Sequence, residues 1–201
     1  MNDLFSELDV AGRRLANRLV LPPMATEQAQ EDGVPSDATP AHYATLAATG
    51  VALAVIEHSC VSPEGRSGPR QISLADDRSV SAYAAIVAAV HASGALCAGQ
   101  ISHAGSNRRE GMPGRCLGPS AVVNPASHLT PEEMSASDIH EAVRAFGAAA
   151  DRVRRAGCDF VEIHAAHGYL LSQFLSPLTN LRADAYGGTP ERRRRLLMEV
   201  F

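Results

Sequence analysis

Apolar segments of strand length alternate with longer amphipathic segments along most of the chain. The apolar segments lie at 19–21, 51–57, 95–101 and 160–164. Predicted helices lie at 40–49, 79–92 and 135–156, and a further helix begins at 189–191. Almost wholly apolar strands are typical of parallel sheets, and each one here is followed by a helix. The pattern therefore predicts an α/β fold of four βα units.

The predicted helices begin with residues that favour helix starts. Thr39 is the expected N-cap of the first helix, and Pro40 occupies its first position. Ser135 or Ser137 is expected to cap the third helix, and Ser135 and Asp138 have a spacing like that of a capping box.

Four βα units are half of a larger architecture. A (β/α)8 TIM barrel needs eight units and typically about 250 residues. Half a barrel has two open sheet edges, so we expect the 201-residue chain either to be the front part of a longer protein or to pair with another chain. Ahead of the first strand, residues 1–18 are predicted to form a lid with a small hairpin at 8–12.

Composition narrows the functional classes. A net charge of −4 gives no electrostatic basis for binding nucleic acid or an anionic membrane. No apolar run could span a bilayer and the N-terminus lacks a secretory signal, so we expect a cytoplasmic protein. The four cysteines form no CxxC pair, which disfavours iron–sulfur and structural zinc sites. All 18 basic residues are arginines, which excludes a Schiff-base lysine.

Two histidines and a tyrosine follow the fourth predicted strand. Alternation places Phe160, Glu162 and His164 on one face, with His164 at the carboxyl end, where α/β folds collect functional groups. His167 and Tyr169 follow within one loop's reach, so three hydrogen-bonding side chains can converge on one small polar group. A His-x-x-His pair also occurs in metal sites, but the sequence offers no clear third ligand, and we expect no metal.

Five short segments carry a family resemblance. They lie at 17–24, 61–66, 100–105, 164–170 and 180–188. In this order and spacing they resemble the old yellow enzyme family of flavin-dependent ene-reductases, in the N-terminal part of its barrel only. The resemblance implies that residues 1–201 are the N-terminal portion of a single FMN-binding TIM-barrel domain, whose C-terminal half is absent from this chain.

The resemblance also implies roles for individual residues. His164 and His167 would hydrogen-bond the carbonyl of an α,β-unsaturated substrate, and Tyr169 would donate a proton to its α-carbon. The positions implied to contact the flavin are Pro22, Pro23, Met24, Ala25, His58 and Gln100. Without the resemblance, each of these segments has a plain structural interpretation. Residues 22–25 would be a turn that ends a strand, and Gln100 would be a buried glutamine with its hydrogen bonds satisfied. His58 would equally well be an exposed loop histidine.

The chain departs from the family at several positions. Ala25 stands where some relatives have a flavin-tuning cysteine or threonine, so we expect no side-chain tuning there. Glu27 stands where a close branch has a substrate-contacting tyrosine, so substrate preference is not carried over. The family's phosphate site comes from later strands than these four. His103 and Arg108, in the loop after the third strand, are predicted to be structural or rim residues.

The resemblance implies an enzyme that uses FMN, with NAD(P)H as hydride donor, to reduce the activated C=C bond of a small enone-type substrate. We expect a homo-oligomer with no nucleic-acid or membrane partner. A second hypothesis is a non-catalytic half-barrel that self-associates through its open edges. A third is another FMN barrel, of the dihydroorotate or tRNA-dihydrouridine type, although these use a cysteine or serine acid.

Overall fold

The computed structural model describes residues 3–201. In chain order the strands are β1 (Leu8–Val10), β2 (Arg13–Leu15), β3 (Val20–Leu21), β4 (Leu53–Cys60), β5 (Leu96–Ser102), β6 (Leu117–Gly118), β7 (Glu132–Glu133) and β8 (Phe160–Ile163). The helices are α1 (Thr39–Ala47), α2 (Val80–His91), α3 (Ala136–Arg155), α4 (Leu170–Leu175), α5 (Pro190–Arg193) and α6 (Arg195–Val200). Within this part of the chain, no helix has both the length and the apolar composition of a membrane span.

Strands β3, β4, β5 and β8 pair side by side in that order, and all three pairings are parallel. Helices follow the strands along the chain and pack against the sheet, as in one side of a (β/α)8 barrel. The predicted strand–helix order is therefore confirmed. Between β5 and α3 the chain forms a long excursion, which contains only the short strands β6 and β7.

The main core lies between the sheet and α1, α2 and α3. Ile56 and Ile101 from the sheet meet Ile86 and Phe146 from the helices, and all four are almost completely buried. The helices approach β5 closely at Gly99, where a Cβ would lie 2.7 Å from the Tyr83 hydroxyl. A larger residue at this position would push the helix layer away from the sheet.

The N-terminal hairpin covers the amino ends of the strands. β1 and β2 are antiparallel, and the turn residues Ala11 and Gly12 both have positive φ, as a type I′ turn requires. Arg13 Nε lies 3.7 Å from Asp159 just ahead of β8, and Asn17 donates to the Gly50 carbonyl ahead of β4. The predicted hairpin is thus present, but it lies at the end of the sheet opposite to His164. Met1 and Asn2 of the predicted lid lie outside the described residues.

Strand β8 differs from its prediction as a buried strand. Val161 is 39% exposed and Glu162 is also exposed. The reason is that β8 forms the edge of the four-stranded sheet, and within residues 3–201 no further strand pairs with it. An aliphatic run predicts a strand that is buried on both faces. Whether it is buried depends on the strands and helices that pack beside it, which the local pattern does not specify.

Two helix starts test the capping predictions. Ser135 accepts from the Asp138 amide and the Asp138 carboxylate accepts from the Ser135 amide, so the predicted capping box is confirmed. Thr39 is not the N-cap of α1, because Ala38 occupies that position and Thr39 is buried within the first turn. The predicted last helix is divided at Arg194 into α5 and α6.

Candidate active site

A cavity of about 480 Å³ opens at the carboxyl ends of the parallel strands. Its lining includes Ala25, His58, Gln71, Asn107, Arg109 and Tyr169. These residues come from the segment after β3, from β4, from the two long loops and from the loop after β8. In open α/β sheets and barrels, this end is where ligands bind.

The loop after β8 brings its three predicted site residues together. The His164 ring centroid lies 4.7 Å from that of Tyr169 and 5.1 Å from that of His167. Tyr169 holds the N-cap position of α4, and His167 has φ of 55°, a left-handed conformation that non-glycine residues rarely adopt. His164 is buried whereas His167 is exposed. The buried His164 side chain is therefore in contact with a histidine that solvent and ligands can reach.

Hydrogen bonds orient the two imidazoles. The Ala166 amide donates to His164 Nδ1 at 3.2 Å, so the His164 proton is assigned to Nε2. That nitrogen lies 3.3 Å from His167 Nδ1, which leaves the Nε2–H of His167 as the outward donor of the pair. Burial, with the neighbouring His167, lowers the pKa of His164, so its imidazole is neutral at physiological pH.

His58 adds a third imidazole to the group. Its ring centroid lies 5.5 Å from that of Tyr169 and 6.0 Å from that of His164. The buried amide of Gln71 holds the ring through a 2.7 Å bond between Gln71 Nε2 and His58 Nδ1. Burial, together with the other two imidazoles, lowers the pKa of His58 to about 4. Its predicted role as a flavin contact stays a prediction.

Of the other predicted flavin contacts, Ala25 lines the cavity, whereas Pro22, Pro23, Met24 and Gln100 are not among its lining residues. The amides of Met24 and Ala25 donate to no group within residues 3–201, so two main-chain N–H groups are available after β3. Gln100 is buried and its Nε2 donates to Glu162 Oε1 at 2.5 Å, which places both side chains on the barrel-interior face. Pro22 is exposed and Pro23 half-buried. Main-chain donors and an amide match the hydrogen-bonding edge of a flavin pyrimidine.

Several residues of the site were not found from the sequence. Glu57 is buried beside Thr26, whose amide and hydroxyl both donate to the carboxylate, and burial raises the pKa of Glu57. Asn107 donates to the His167 carbonyl at 2.9 Å and so supports the histidine loop. Gln71 lies in an irregular loop without periodicity, and no local signal marks it as a partner of His58.

The rim of the cavity carries a charged pair. Glu27 has φ of 54° and pairs with Arg109 from the loop after β5. By contrast, the buried Arg108 donates to the carbonyls of Pro113 and Arg115, which supports its predicted structural role. The position that carries a tyrosine in a close branch of the resembled family thus holds a carboxylate with a basic partner.

His103, the first residue after β5, is buried, and it makes the free energy of unfolding depend on pH. Its Nδ1 accepts from the Gly105 amide at 3.0 Å, and burial lowers its pKa from 6.5 to about 4. The unfolded chain therefore binds more protons than the folded chain between these pH values. The contribution of His103 to stability is complete above pH 6.5 and is lost as the pH falls towards 4.

We expect the free energy of unfolding to fall by up to about 3 kcal/mol over this range on account of His103. Urea unfolding at pH 7, 5.5 and 4.5 measures the fall. The His103→Asn variant keeps an acceptor for the Gly105 amide but has no titrating group, so its profile should be flatter. Identical pH profiles for the two proteins would contradict the assignment.

Comparison with known proteins gives matches over almost the whole chain. The model of the NADH:flavin oxidoreductase / NADH oxidase family matches residues 3–201. The NADPH dehydrogenase of Bacillus licheniformis is 40% identical over 199 residues, which cover 98% of this chain and 58% of that protein. The NADPH dehydrogenase of Bacillus subtilis is 39% identical with the same coverage.

Solved structures agree with these matches. An old yellow enzyme homologue from Zymomonas mobilis has a TM-score of 0.93 at 29% identity, covering 98% of this chain and 58% of its own. Morphinone reductase in complex with tetrahydroNAD has a TM-score of 0.92 at 30% identity with the same coverage. The predicted barrel architecture is confirmed, and the chain spans 58% of the length of these relatives.

Proposed function

Because the chain belongs to the NADH:flavin oxidoreductase / NADH oxidase family, we propose that it acts in the FMN-dependent reduction of an activated C=C bond by NAD(P)H. The observation that carries the proposal is the clustering of the His164 and His167 rings beside Tyr169, which lines the cavity. The expected substrate is a small α,β-unsaturated carbonyl compound. Homo-oligomerisation, a cytoplasmic location and the assignment of residues 1–201 to one FMN-binding domain stay predictions.

The proposed flavin contacts come from three segments. The main chain of 22–25 offers the free amides of Met24 and Ala25, and the Gln100 side chain offers an amide. The main chain of His58 is a further contact, whereas its side chain faces Tyr169. When bound, FMN would accept hydride from NAD(P)H and deliver it to the substrate β-carbon.

The proposed roles of the loop residues follow from their hydrogen-bonding capacity. The His167 Nε2–H donates to the substrate carbonyl, and the His164 Nε2–H joins it when its bond to His167 Nδ1 is exchanged for one to the ligand. Both bonds strengthen as negative charge develops on the carbonyl oxygen. Tyr169 gives its phenolic proton to the α-carbon. The neutral state of His164 suits a donor that must not protonate the oxygen.

Flavin binding and turnover test the proposal together. The protein is incubated with FMN, freed of excess flavin, and its absorbance is recorded between about 350 and 500 nm. We expect a retained flavin band that NADPH or NADH bleaches under anaerobic conditions and that 2-cyclohexenone restores. A retained flavin that the enone does not reoxidise would contradict the ene-reductase assignment.

A second candidate rests on the open edge of the sheet. Val161 on β8 and Val20 on β3 are both exposed, at opposite edges of the four strands. Unpaired strand edges favour association with another chain. On size-exclusion chromatography, a non-catalytic half-barrel would elute as an oligomer that binds no flavin. An enzyme would elute with flavin bound.

A further inference from the structure

A β-bulge turns His58 into the cavity. In the pairing of β4 with β5, Ile56 lies opposite Gly99 whereas Ser59 lies opposite Ile101. Glu57 and His58 therefore share one partner residue. In a regular strand one of these two side chains would face the helices. Because of the extra residue, both line the cavity, which is a known way of re-aiming a side chain at a functional site.

A relay of hydrogen bonds determines which nitrogen of His58 carries the proton. The Ser67 amide donates to Gln71 Oε1 at 2.7 Å, which assigns the orientation of the Gln71 side chain. Gln71 Nε2 is then the atom that faces His58, donating to Nδ1 at 2.7 Å and to the His58 carbonyl at 3.1 Å. Nδ1 is thus an acceptor, and the proton lies on Nε2.

This imidazole is a permanent donor beside the phenol. It lines the same cavity as Tyr169, at a ring-centroid distance of 5.5 Å. Its low pKa, about 4, keeps it neutral at physiological pH, and Nδ1 is occupied by the Gln71 amide. His58 consequently has no free lone pair with which to accept a proton from Tyr169, and Nε2–H is its one remaining hydrogen-bonding group.

We propose that His58 is a positioning residue for Tyr169. The Nε2–H of His58 donates towards the phenolic oxygen of Tyr169 and stabilises the phenolate that is left after proton transfer. The inference rests on the proposed function of Tyr169 as the acid. In that step the Tyr169 O–H bond breaks, a C–H bond forms at the substrate α-carbon, and the electron pair stays on the phenolic oxygen. Solvent in the open cavity later returns the proton.

The charged side chains that line the cavity give it no net formal charge. Three acidic and three basic side chains line it, and their formal charges cancel: Glu27, Glu57, Glu110, Arg70, Arg108 and Arg109. His164, the nearest ring to Tyr169, is neutral at physiological pH. We assign the local stabilisation of the phenolate to the Nε2–H dipole of His58, whose ring centroid lies 5.5 Å from that of Tyr169.

Two measurements on the protein without added flavin test the inference. The first is long-range ¹H–¹⁵N NMR of the histidine side chains in the unsubstituted protein, assigned by through-bond correlations to the backbone. We expect a protonated Nε2 and an unprotonated Nδ1 for His58. A signal from the Nδ1–H form would overturn the proposal, and this measurement does not depend on whether a variant folds.

The second measurement is an alkaline titration of tyrosinate absorbance at about 295 nm. Burial raises the pKa of Tyr43, Tyr83 and Tyr186, so they ionise late, and Tyr169→Phe identifies the Tyr169 signal. We expect His58→Ala to move the Tyr169 midpoint upwards by about one pH unit, since hydrogen bonds to ionised groups are the stronger ones. His140→Ala, on the exposed face of α3, is the matched control.

An unchanged Tyr169 midpoint in His58→Ala would overturn the proposal. Failure of the His58–Tyr169 interaction can be told apart from failure of the proposed function, because neither measurement involves substrate. A shifted midpoint in a protein that fails to reduce enones would refute the proposed function and leave the His58–Tyr169 contact standing.

Discussion

Replacing both His164 and His167 by alanine is expected to weaken the binding of phenols to the flavin-loaded protein by at least about 100-fold. A phenolate accepts hydrogen bonds on a charged oxygen, and each such bond contributes about 1.5–3 kcal/mol. The two rings lie 5.1 Å apart and are linked by a 3.3 Å contact, so they are placed to act on one ligand atom. The measurement is a titration of the long-wavelength charge-transfer band.

The two single variants, His164→Ala and His167→Ala, are expected to weaken phenol binding to different extents. His167→Ala should have the larger effect, because His167 holds the outward N–H of the pair and His164 Nε2–H points to it. The matched control is again His140→Ala, which changes an exposed histidine on α3. An undiminished charge-transfer band in the double variant, with flavin still bound, would exclude the pair from ligand binding.

The second large effect is expected on stability, from Gln173→Leu. Gln173 is 2% exposed, and its Nε2 donates to the carbonyls of Ala104 and Gly168 at 3.1 and 2.6 Å. Its Oε1 accepts from the Ser106 amide. Leucine would leave the buried Ser106 amide without its acceptor, at a cost of about 1–3 kcal/mol. The Ala104 carbonyl keeps its bond from the Asn107 amide and Gly168 is exposed, so the loss of these two bonds costs about 1 kcal/mol each. We expect the free energy of unfolding to fall by roughly 4 kcal/mol in urea.

The substitution also tests how the histidine loop is supported. Gln173 joins the loop after β5 to the end of the 164–170 segment, next to Asn107, which donates to the His167 carbonyl. Gln28→Leu is a suitable control, because Gln28 Oε1 is buried without a hydrogen-bond partner within the described residues. If the two glutamine variants were equally stable, the Gln173 bonds would carry no net stability.

Local patterns were sufficient for the order of the elements. Each apolar run became a strand of the parallel sheet, and Ser135 formed its capping box with Asp138, because both depend on interactions within a few residues. The placement of His164, His167 and Tyr169 also followed from a strand end and a short loop. Their roles were implied by resemblance and stay predictions.

The sequence by itself thus determined the α/β class, the four βα units and the loop that carries the candidate chemistry. Only the tertiary structure decided which side chains surround that loop. Gln71 reaches His58 across 13 positions, and Gln173 reaches Ala104 across 69. The bulge at Glu57 and His58 appears only in the register of β4 on β5. Such contacts depend on how separate elements pack and pair, and a local periodicity carries no information about that packing.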